Sequence, residues 1–322
     1  MSWTPAGRPI VQVDCSIPIV GCIAFGCIDR GTNLIQVRPT SICPLSCIFC
    51  STNAGPKSRI RQAEYLVELD HLVEGFRELV RLKGAWGIEA HIDTVGDPLT
   101  YPKIVELVHE LGQTPGVEVV SLQTHGPLLT ERLVDRLSAA GLSRINLSID
   151  ALEPDLARKL AGTEWFDVER VVNIAQYIVE NTSIDLLIAP IWVPGVNDGE
   201  IPRLIEFALR VGAGRRWPPL GIQKYEVHKY GRKVRGVRVM GWGEFYSRLR
   251  GMERRYGVKL ILRPEDFKIH RRPMLPIPYR RHEKVKVRVV APGWLRGEKL
   301  AVTTRGDRAI TLINADPIPV GA

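Results

Sequence analysis

Along this chain, short runs in which apolar and polar residues alternate keep giving way to longer runs whose apolar residues recur three or four positions apart. The alternating runs TNLIQVRPT (32–40), GIEAHIDT (87–94), GVEVVSLQT (116–124), SRINLSID (143–150), SIDLLIAPI (183–191) and LGIQKYE (220–226) predict β-strands. The longer runs predict helices. In AEYLVELDHLVEGFRELVRLKG (63–84), Leu66, Leu69, Val73, Phe76 and Val80 keep helical spacing until Gly84 stops them. YPKIVELVHELG (101–112), TERLVDRLSAAG (130–141), DVERVVNIAQYIVEN (167–181) and EIPRLIEFALRVG (200–212) repeat the pattern. A strand followed by a helix, repeated about six times, makes this an α/β chain with parallel strands and crossover helices, in an open doubly wound sheet or a barrel-like one.

The two faces of each strand favour the barrel. Glu89, His91 and Asp93 oppose Ile88, Ala90 and Ile92, while Asn146, Ser148 and Asp150 oppose Ile145, Leu147 and Ile149. Gln36 with Arg38, and Ser121 with Gln123, behave the same way. Strands of a doubly wound sheet are covered on both sides and read as nearly all apolar, so one polar face per strand needs another home. The interior of a partial barrel that holds a polar ligand supplies it. Such a fold carries its chemistry in the loops after the strands.

Composition adds bounds. A chain of 322 residues, 45% hydrophobic and 25% charged, can bury one large core and a smaller one. The most apolar N-terminal run, residues 17–28, is too short to span a bilayer and has no basic region before it, so we expect no membrane partner and a cytoplasmic location. Six cysteines in such a chain suggest thiols or thiolate ligands, not a disulfide framework. Charge is distributed in two parts. Residues 228–308 hold 23 Lys and Arg against 7 Asp and Glu, a net of +16, whereas the remainder nets −7. A basic C-terminal third of this kind suits a polyanion, nucleic acid above all, although a solvated basic surface has the same composition.

Cys43, Cys47 and Cys50 follow the first predicted strand, in the loop before the first long helix. A closed zinc site needs four ligands, and no fourth cysteine or histidine has suitable spacing. A cubane iron-sulfur cluster on three thiolates leaves one iron open for chemistry. This C-x3-C-x2-C loop resembles that of the radical S-adenosylmethionine (radical SAM) superfamily, over roughly residues 30–226. Other segments agree in order. Phe49 matches the family's aromatic beside the adenine, and VGDPLTYP (95–102) resembles its Gly-Gly-Glu-Pro segment, with Val95 for the first glycine and Asp97 for the glutamate. QTHGPLLT (123–130) is similar to the Thr-Asn-Gly turn with His125 for asparagine, LSIDAL (147–152) matches the next strand end, and APIWVPGVND (189–198) the one after.

The resemblance implies a partial (β/α)6 barrel, a 4Fe-4S cluster on Cys43, Cys47 and Cys50, and S-adenosylmethionine (SAM) held by Phe49, Gly96, Asp97, Thr124, Ser148, Asp150 and Val193. It also implies a low-potential electron donor and reductive cleavage of SAM to a 5′-deoxyadenosyl radical that takes hydrogen from an unactivated carbon. Asp93, His91 and Tyr225 are candidate catalytic or substrate-facing residues, each with an alternative structural role. Cys15, Cys22 and Cys27 fit no cluster spacing and read as small buried apolar residues.

The expected organisation is a β-rich extension (1–31), the barrel (32–226), a basic helical extension (227–262), a Pro-rich linker (263–283) and a small all-β, barrel-like domain (284–322). In the helical extension, Phe245, Leu249 and Met252 share one face of a helix starting near Gly243. The last segment resembles the OB-like TRAM appendage of some tRNA-modifying enzymes, and the whole chain resembles a mostly archaeal branch of the superfamily. These resemblances imply RNA as the substrate, with Trp294 or Tyr279 available for base stacking. A peptide, protein or small-metabolite substrate, and a non-catalytic iron-sulfur RNA-binding or electron-transfer protein, are the alternatives. The sequence leaves the oligomeric state open.

Overall fold

The computed structural model describes residues 2–322. The chain opens with β1 (Ser2–Trp3), β2 (Pro9–Val13), β3 (Gly26–Asp29), β4 (Leu34–Arg38) and β5 (Glu64–Val67). Then come α1 (Leu69–Leu82), β6 (Ile88–Ile92), α2 (Ile104–Gly112), β7 (Val117–Thr124), α3 (Glu131–Ala139) and β8 (Arg144–Leu147). After these lie α4 (Pro154–Ala161), α5 (Val168–Asn181), β9 (Asp185–Ile188), β10 (Ile191–Trp192), α6 (Glu200–Val211), β11 (Gln223–Lys224) and α7 (Trp242–Tyr256). The strands β12 (Val287–Pro292), β13 (Lys299–Thr303) and β14 (Ala309–Leu312) end the chain. Two compact units result, one of Met1–Pro44, Ala54–Val120 and Arg271–Ala322, the other of Leu45–Asn53 and Ser121–His270. They cut across the boundaries expected from the sequence, and β7 begins in one and ends in the other.

In the first unit β4 and β6 run parallel, with Gln36 opposite His91, and β3 pairs antiparallel with β4. Helix α1 buries Leu72, Val73, Phe76, Leu79 and Val80, each worth roughly 1.5–3 kcal/mol of apolar burial. Gly75 in its middle is needed for packing, because a Cβ there would lie 2.4 Å from the Ile19 side chain. The structure corrects one element. The helix expected from residue 63 starts only at Leu69, and Glu64–Val67 form a strand beside β2, in parallel register from Ile10 opposite Glu64 to Val13 opposite Val67. Pairing with an edge 54 residues away in sequence overrides local helical spacing, and the buried Tyr65 and Val67 suit a strand.

In the second unit β7, β8 and β9 run parallel, and Gln123, Asn146 and Leu187 fall on one rung. The sixth predicted strand is reduced to β11, which pairs with β10, while only the bridge from Leu220 to Ile188 ties its start to β9. Thr130 and Asp167 cap α3 and α5 by accepting the Leu133 and Arg170 amides. Helix α4 is absent from the sequence reading.

The Pro-rich stretch is lashed to the first unit. Lys83 is fully buried, and its ammonium donates to Asp29 at 2.6 Å and to the Pro273 carbonyl at 3.0 Å. Asp29 also accepts the Leu275 amide at 2.8 Å. Burial alone would raise the Asp29 carboxyl, but Lys83 and the Gly31 and Leu275 amides hold it below its ordinary 3.8. A depressed carboxyl stabilises the fold above its unfolded value and loses that contribution as pH falls through the folded one. Lys83→Met should therefore cost about 3–5 kcal/mol at neutral pH, measured by urea unfolding of the apo chain. Its pH dependence should reverse as well. Wild-type stability should fall on acidification below the ordinary Asp range, whereas the variant, with a buried unpaired carboxyl, should gain stability as that group is protonated.

Candidate active site

The strand ends of the first unit carry part of the predicted set. The Asp93 carboxylate, just past β6, accepts from the Gln36 carboxamide at 3.0 Å and lies 3.7 Å from Arg38. His91 is buried two residues earlier, on the same strand face. Beyond Asp93 the chain turns through Val95, Gly96 and Asp97. A Cβ on Gly96 would lie 2.1 Å from the Ile42 carbonyl oxygen and 2.4 Å from that of Ser41. Only glycine lets this turn lie against the segment that leads into Cys43. The Asp97 amide donates to the Ile42 carbonyl at 2.9 Å, and Asp97 Oδ1 accepts the Leu99 amide at 3.0 Å. The shorter acid caps a single turn at Pro98–Thr100, a use that comparison with the family's glutamate does not suggest.

The second unit holds Cys47 and Cys50. Their loop rests on the end of α4, where the Ser46 amide donates to the Ala161 carbonyl at 3.0 Å and the Ile48 amide to that of Leu160 at 2.9 Å. Phe49 is buried. The basic loop after β11 returns to the same place, its Arg232 amide donating to the Cys50 carbonyl at 2.8 Å and the Arg232 guanidinium to the Cys47 carbonyl at 3.2 Å. His125 Nε2 lies 3.8 Å from Cys47 Sγ and 3.3 Å from Asp150 Oδ2. Burial would lower this imidazole, but the Cys47 sulfur and the Asp150 carboxylate hold it well above the usual 6.5.

Asp150 Oδ1 accepts the Ile191 amide at 2.8 Å. Asn197 donates to the Asp150 carbonyl at 2.8 Å and accepts the Val193 amide at 2.8 Å. One buried carboxamide thus fixes the two segments that carry Asp150 and Val193. Ser148 is buried beside β7, its amide on the Thr124 carbonyl at 2.8 Å, and Thr124 Oγ1 accepts the Gly126 amide at 2.9 Å. Tyr225 is buried, and its hydroxyl accepts the Val234 amide at 3.0 Å, which ties it to the basic loop. Sequence reasoning missed Arg232, Asn197 and the role of α4. The "VND" after Val193 is the one local signal that could have pointed to Asn197.

The second unit also holds an open cavity of about 450 Å³. Gln123, Asn146, Gln223 and Lys224 supply its polar lining, and Trp242, Phe245 and Tyr246 of α7 form an aromatic wall. Trp242 is 54% exposed and stacks on Tyr246 with ring centres 5.6 Å apart. The Lys224 ammonium lies 4.9 Å from the Trp242 ring centre and 2.7 Å from Glu226.

Of the remaining cysteines, Cys15 is exposed, and Cys22 and Cys27 are buried. Burial pushes the Cys22 thiol up to about 11 and Cys27 higher still, which keeps both as thiols. Among the described residues no helix is long and apolar enough to cross a membrane.

A thiol-bearing loop after the first parallel strand, in a chain with polar strand ends, suits a β/α protein with a metal cofactor. The family model described as the radical SAM superfamily matches residues 37–208, and the chain belongs to that superfamily. It is 39% identical to uncharacterized protein MJ0103 of Methanocaldococcus jannaschii, over 96% of this chain and 75% of that one. It is 30% identical to GTP 3′,8-cyclase of Heliobacterium modesticaldum, over 69% of this chain and 59% of the cyclase. The structure of Streptococcus suis SuiB bound to S-adenosylmethionine matches with a TM-score of 0.52 at 18% identity, over 70% of this chain and 48% of SuiB. Methylornithine synthase matches with a TM-score of 0.51 at 15% identity, over 68% of this chain and 60% of the synthase. The chain thus spans about half to three fifths of the length of the cyclase and of these solved structures. The fold is the α/β partial barrel of radical SAM enzymes, with an all-β sheet at the C-terminal end. The chain is an enzyme, and its cofactors are a 4Fe-4S cluster and SAM.

By chemistry and spacing the three thiols suit such a cluster: they lie within eight residues, Cys47 Sγ is 3.8 Å from His125 Nε2, and Arg232 holds the Cys47 and Cys50 carbonyls, although among the described residues no three His, Cys, Asp or Glu side chains are grouped closely enough to hold a metal ion. Arg232→Ala should leave the reconstituted chain losing iron to a chelator roughly tenfold faster, the equivalent of one charge-assisted hydrogen bond. Iron release at wild-type rate would show that the loop needs no such tether.

Proposed function

We propose that this radical SAM enzyme modifies a nucleotide of RNA. In this reading Cys43, Cys47 and Cys50 would hold the cluster. Phe49, Gly96, Asp97, Thr124, Ser148, Asp150 and Val193 would seat SAM, with His91 and Asp93 available to take or give protons on the inner strand face. When bound, the two cofactors supply a 5′-deoxyadenosyl radical, formed by one-electron cleavage of a sulfonium carbon-sulfur bond with methionine as the leaving group. The electron comes from a low-potential donor. The chain's own task is to bind, orient and exclude water. The reading puts the enzyme in the cytoplasm, where thiols stay reduced.

One observation carries the choice of RNA. The exposed Trp242–Tyr246 pair lines the cavity, inside a stretch (224–256) with ten Lys and Arg against three acids. Aromatic faces stack on unpaired bases and cations track the phosphates, which is how single-stranded RNA is gripped. The stacking residues expected from the sequence are occupied. Trp294 lies over the Arg61 guanidinium at 4.6 Å, and Tyr279 donates to Asp307 at 2.9 Å beneath Arg305. A free nucleotide is the second reading, favoured by the 30% identity to a GTP 3′,8-cyclase.

RNA binding by the full chain should weaken steeply with added salt. Trp242→Ala should weaken it further, by about tenfold or more, the loss expected for one stacked base. Mass spectrometry of RNA nucleosides from cells lacking the gene should show one modified nucleoside missing. An unchanged nucleoside profile, together with tight binding of a mononucleotide, would move the assignment to the second reading.

A further inference from the structure

We propose that the C-terminal sheet is a positioning element for the cofactor loops of the first unit, acting through the stack of Trp294 on Arg61. The proposal rests on the reading that Cys43 holds the cluster and that Val95–Asp97 meets SAM. Arg61 is 2% exposed. One edge of its guanidinium donates to the Ser41 carbonyl at 2.8 Å and to Glu64 at 3.1 Å, and Nη2 donates to the Val95 carbonyl. A single planar group therefore ties the residue two before Cys43 to the first residue of the turn that carries Gly96 and Asp97. The two loops are otherwise joined by the close approach of Gly96 and by the Asp97 amide and Thr100 hydroxyl, both donating to the Ile42 carbonyl at 2.9 and 3.1 Å.

A guanidinium has its donors in one plane, so its tilt decides which carbonyls it can reach. Here the tilt is set by the Trp294 indole, 4.6 Å away. The indole N–H is buried with no hydrogen-bond partner among the described residues. Tryptophan at this position is thus held for its ring face and not for its donor. The sheet is docked by other bonds as well. Gln62 donates to the Leu295 and Glu298 carbonyls at 2.8 and 2.7 Å, the Tyr65 hydroxyl donates to the Pro292 carbonyl at 2.9 Å, and Arg61 bridges to Leu295. Those bonds stay when the ring is removed, so its loss frees the guanidinium while the sheet remains in place.

Three variants of the full chain separate positioning from stability. Trp294→Ala removes the ring face, Trp294→Phe keeps one, and Leu300→Ala opens a cavity in β13, where Leu300 is 1% exposed, without touching Arg61. Two readouts are used. Amide hydrogen exchange in the apo chain reports on residues 38–44 and 94–100, and the SAM concentration that half-converts the electron paramagnetic resonance spectrum of the reduced cluster reports on SAM binding. Trp294→Ala should speed exchange in both segments and raise the half-saturating SAM concentration about tenfold, in line with losing one partly desolvated cation–π contact. Trp294→Phe should stay near wild type. Leu300→Ala should lower the melting temperature yet leave SAM saturation unchanged. Unaltered exchange and saturation in Trp294→Ala would overturn the proposal, as would an equal shift in Leu300→Ala. A wild-type chain that takes up no iron would sink the cofactor reading itself, and the proposal with it.

Discussion

The arrangement of the first unit depends on one buried carboxylate. Glu64 is 1% exposed and accepts from Arg8 at 3.1 Å, from Arg61 at 3.1 Å and from the Ser41 hydroxyl. A carboxylate so far from water is tolerable only when charges and hydrogen bonds replace its hydration. Meeting that demand draws in the N-terminal segment through Arg8, which also donates to the Gly55 carbonyl. It draws in the residues before Cys43 through Ser41, whose amide and hydroxyl are bound by Tyr65 and Glu64. Arg61, satisfied by the same carboxylate, carries the constraint on to Val95. The loops that matter chemically are thus fixed by a charge that takes no part in the chemistry.

Much of the fold was legible because its parallel strands and helices have complete local periods. Gln36, His91, Gln123 and Asn146 all fall on the polar strand faces read from alternation. The misreadings occur where tertiary pairing outweighs local pattern. Glu64–Val67 continue a helical spacing but pair with β2, and LGIQKYE retains only two paired residues in β11. Helix α4 is two turns long, too short for its spacing to stand out, yet its end supports the cysteine loop. The cysteine triplet was readable because its ligands are neighbours in sequence. Arg232 was not, since its contact with Cys47 spans 185 positions and leaves no local trace.

Charge illustrates the same limit. The basic third of the sequence is one block of residues, but it is divided between the two units at residue 271. Part of it is used internally. Arg272 stacks on Trp86 with 3.3 Å to the ring centre and donates to its carbonyl at 2.9 Å, and Arg308 donates to the Pro276 carbonyl at 2.8 Å. A guanidinium engaged in this way loses freedom to follow a phosphate chain. The loop and helix between Lys229 and Arg255 keep more of theirs, since among the described cations there Arg232, Arg238 and Arg248 are the ones held by hydrogen bonds or ion pairs.

The cavity beneath that helix divides recognition in two. The charged residue of its lining, Lys224, pairs with Glu226, and the Arg144 guanidinium, between the Trp217 and Phe267 rings, puts Nε on the Asn146 carboxamide oxygen at 2.9 Å. Because that oxygen already accepts from Arg144, Asn146 is better suited to donate than to accept, whereas Gln123 and Gln223 can present either end. A neutral lining with one fixed donor suits the edge of a flat heterocycle better than a phosphate or carboxylate, which would lie there without a counter-charge. On the proposed reading, the phosphate of a nucleotide would instead meet the basic loop and helix. That separation, with base inside and backbone outside, is the physical basis for reading this enzyme's substrate as a nucleotide held by its sugar-phosphate chain.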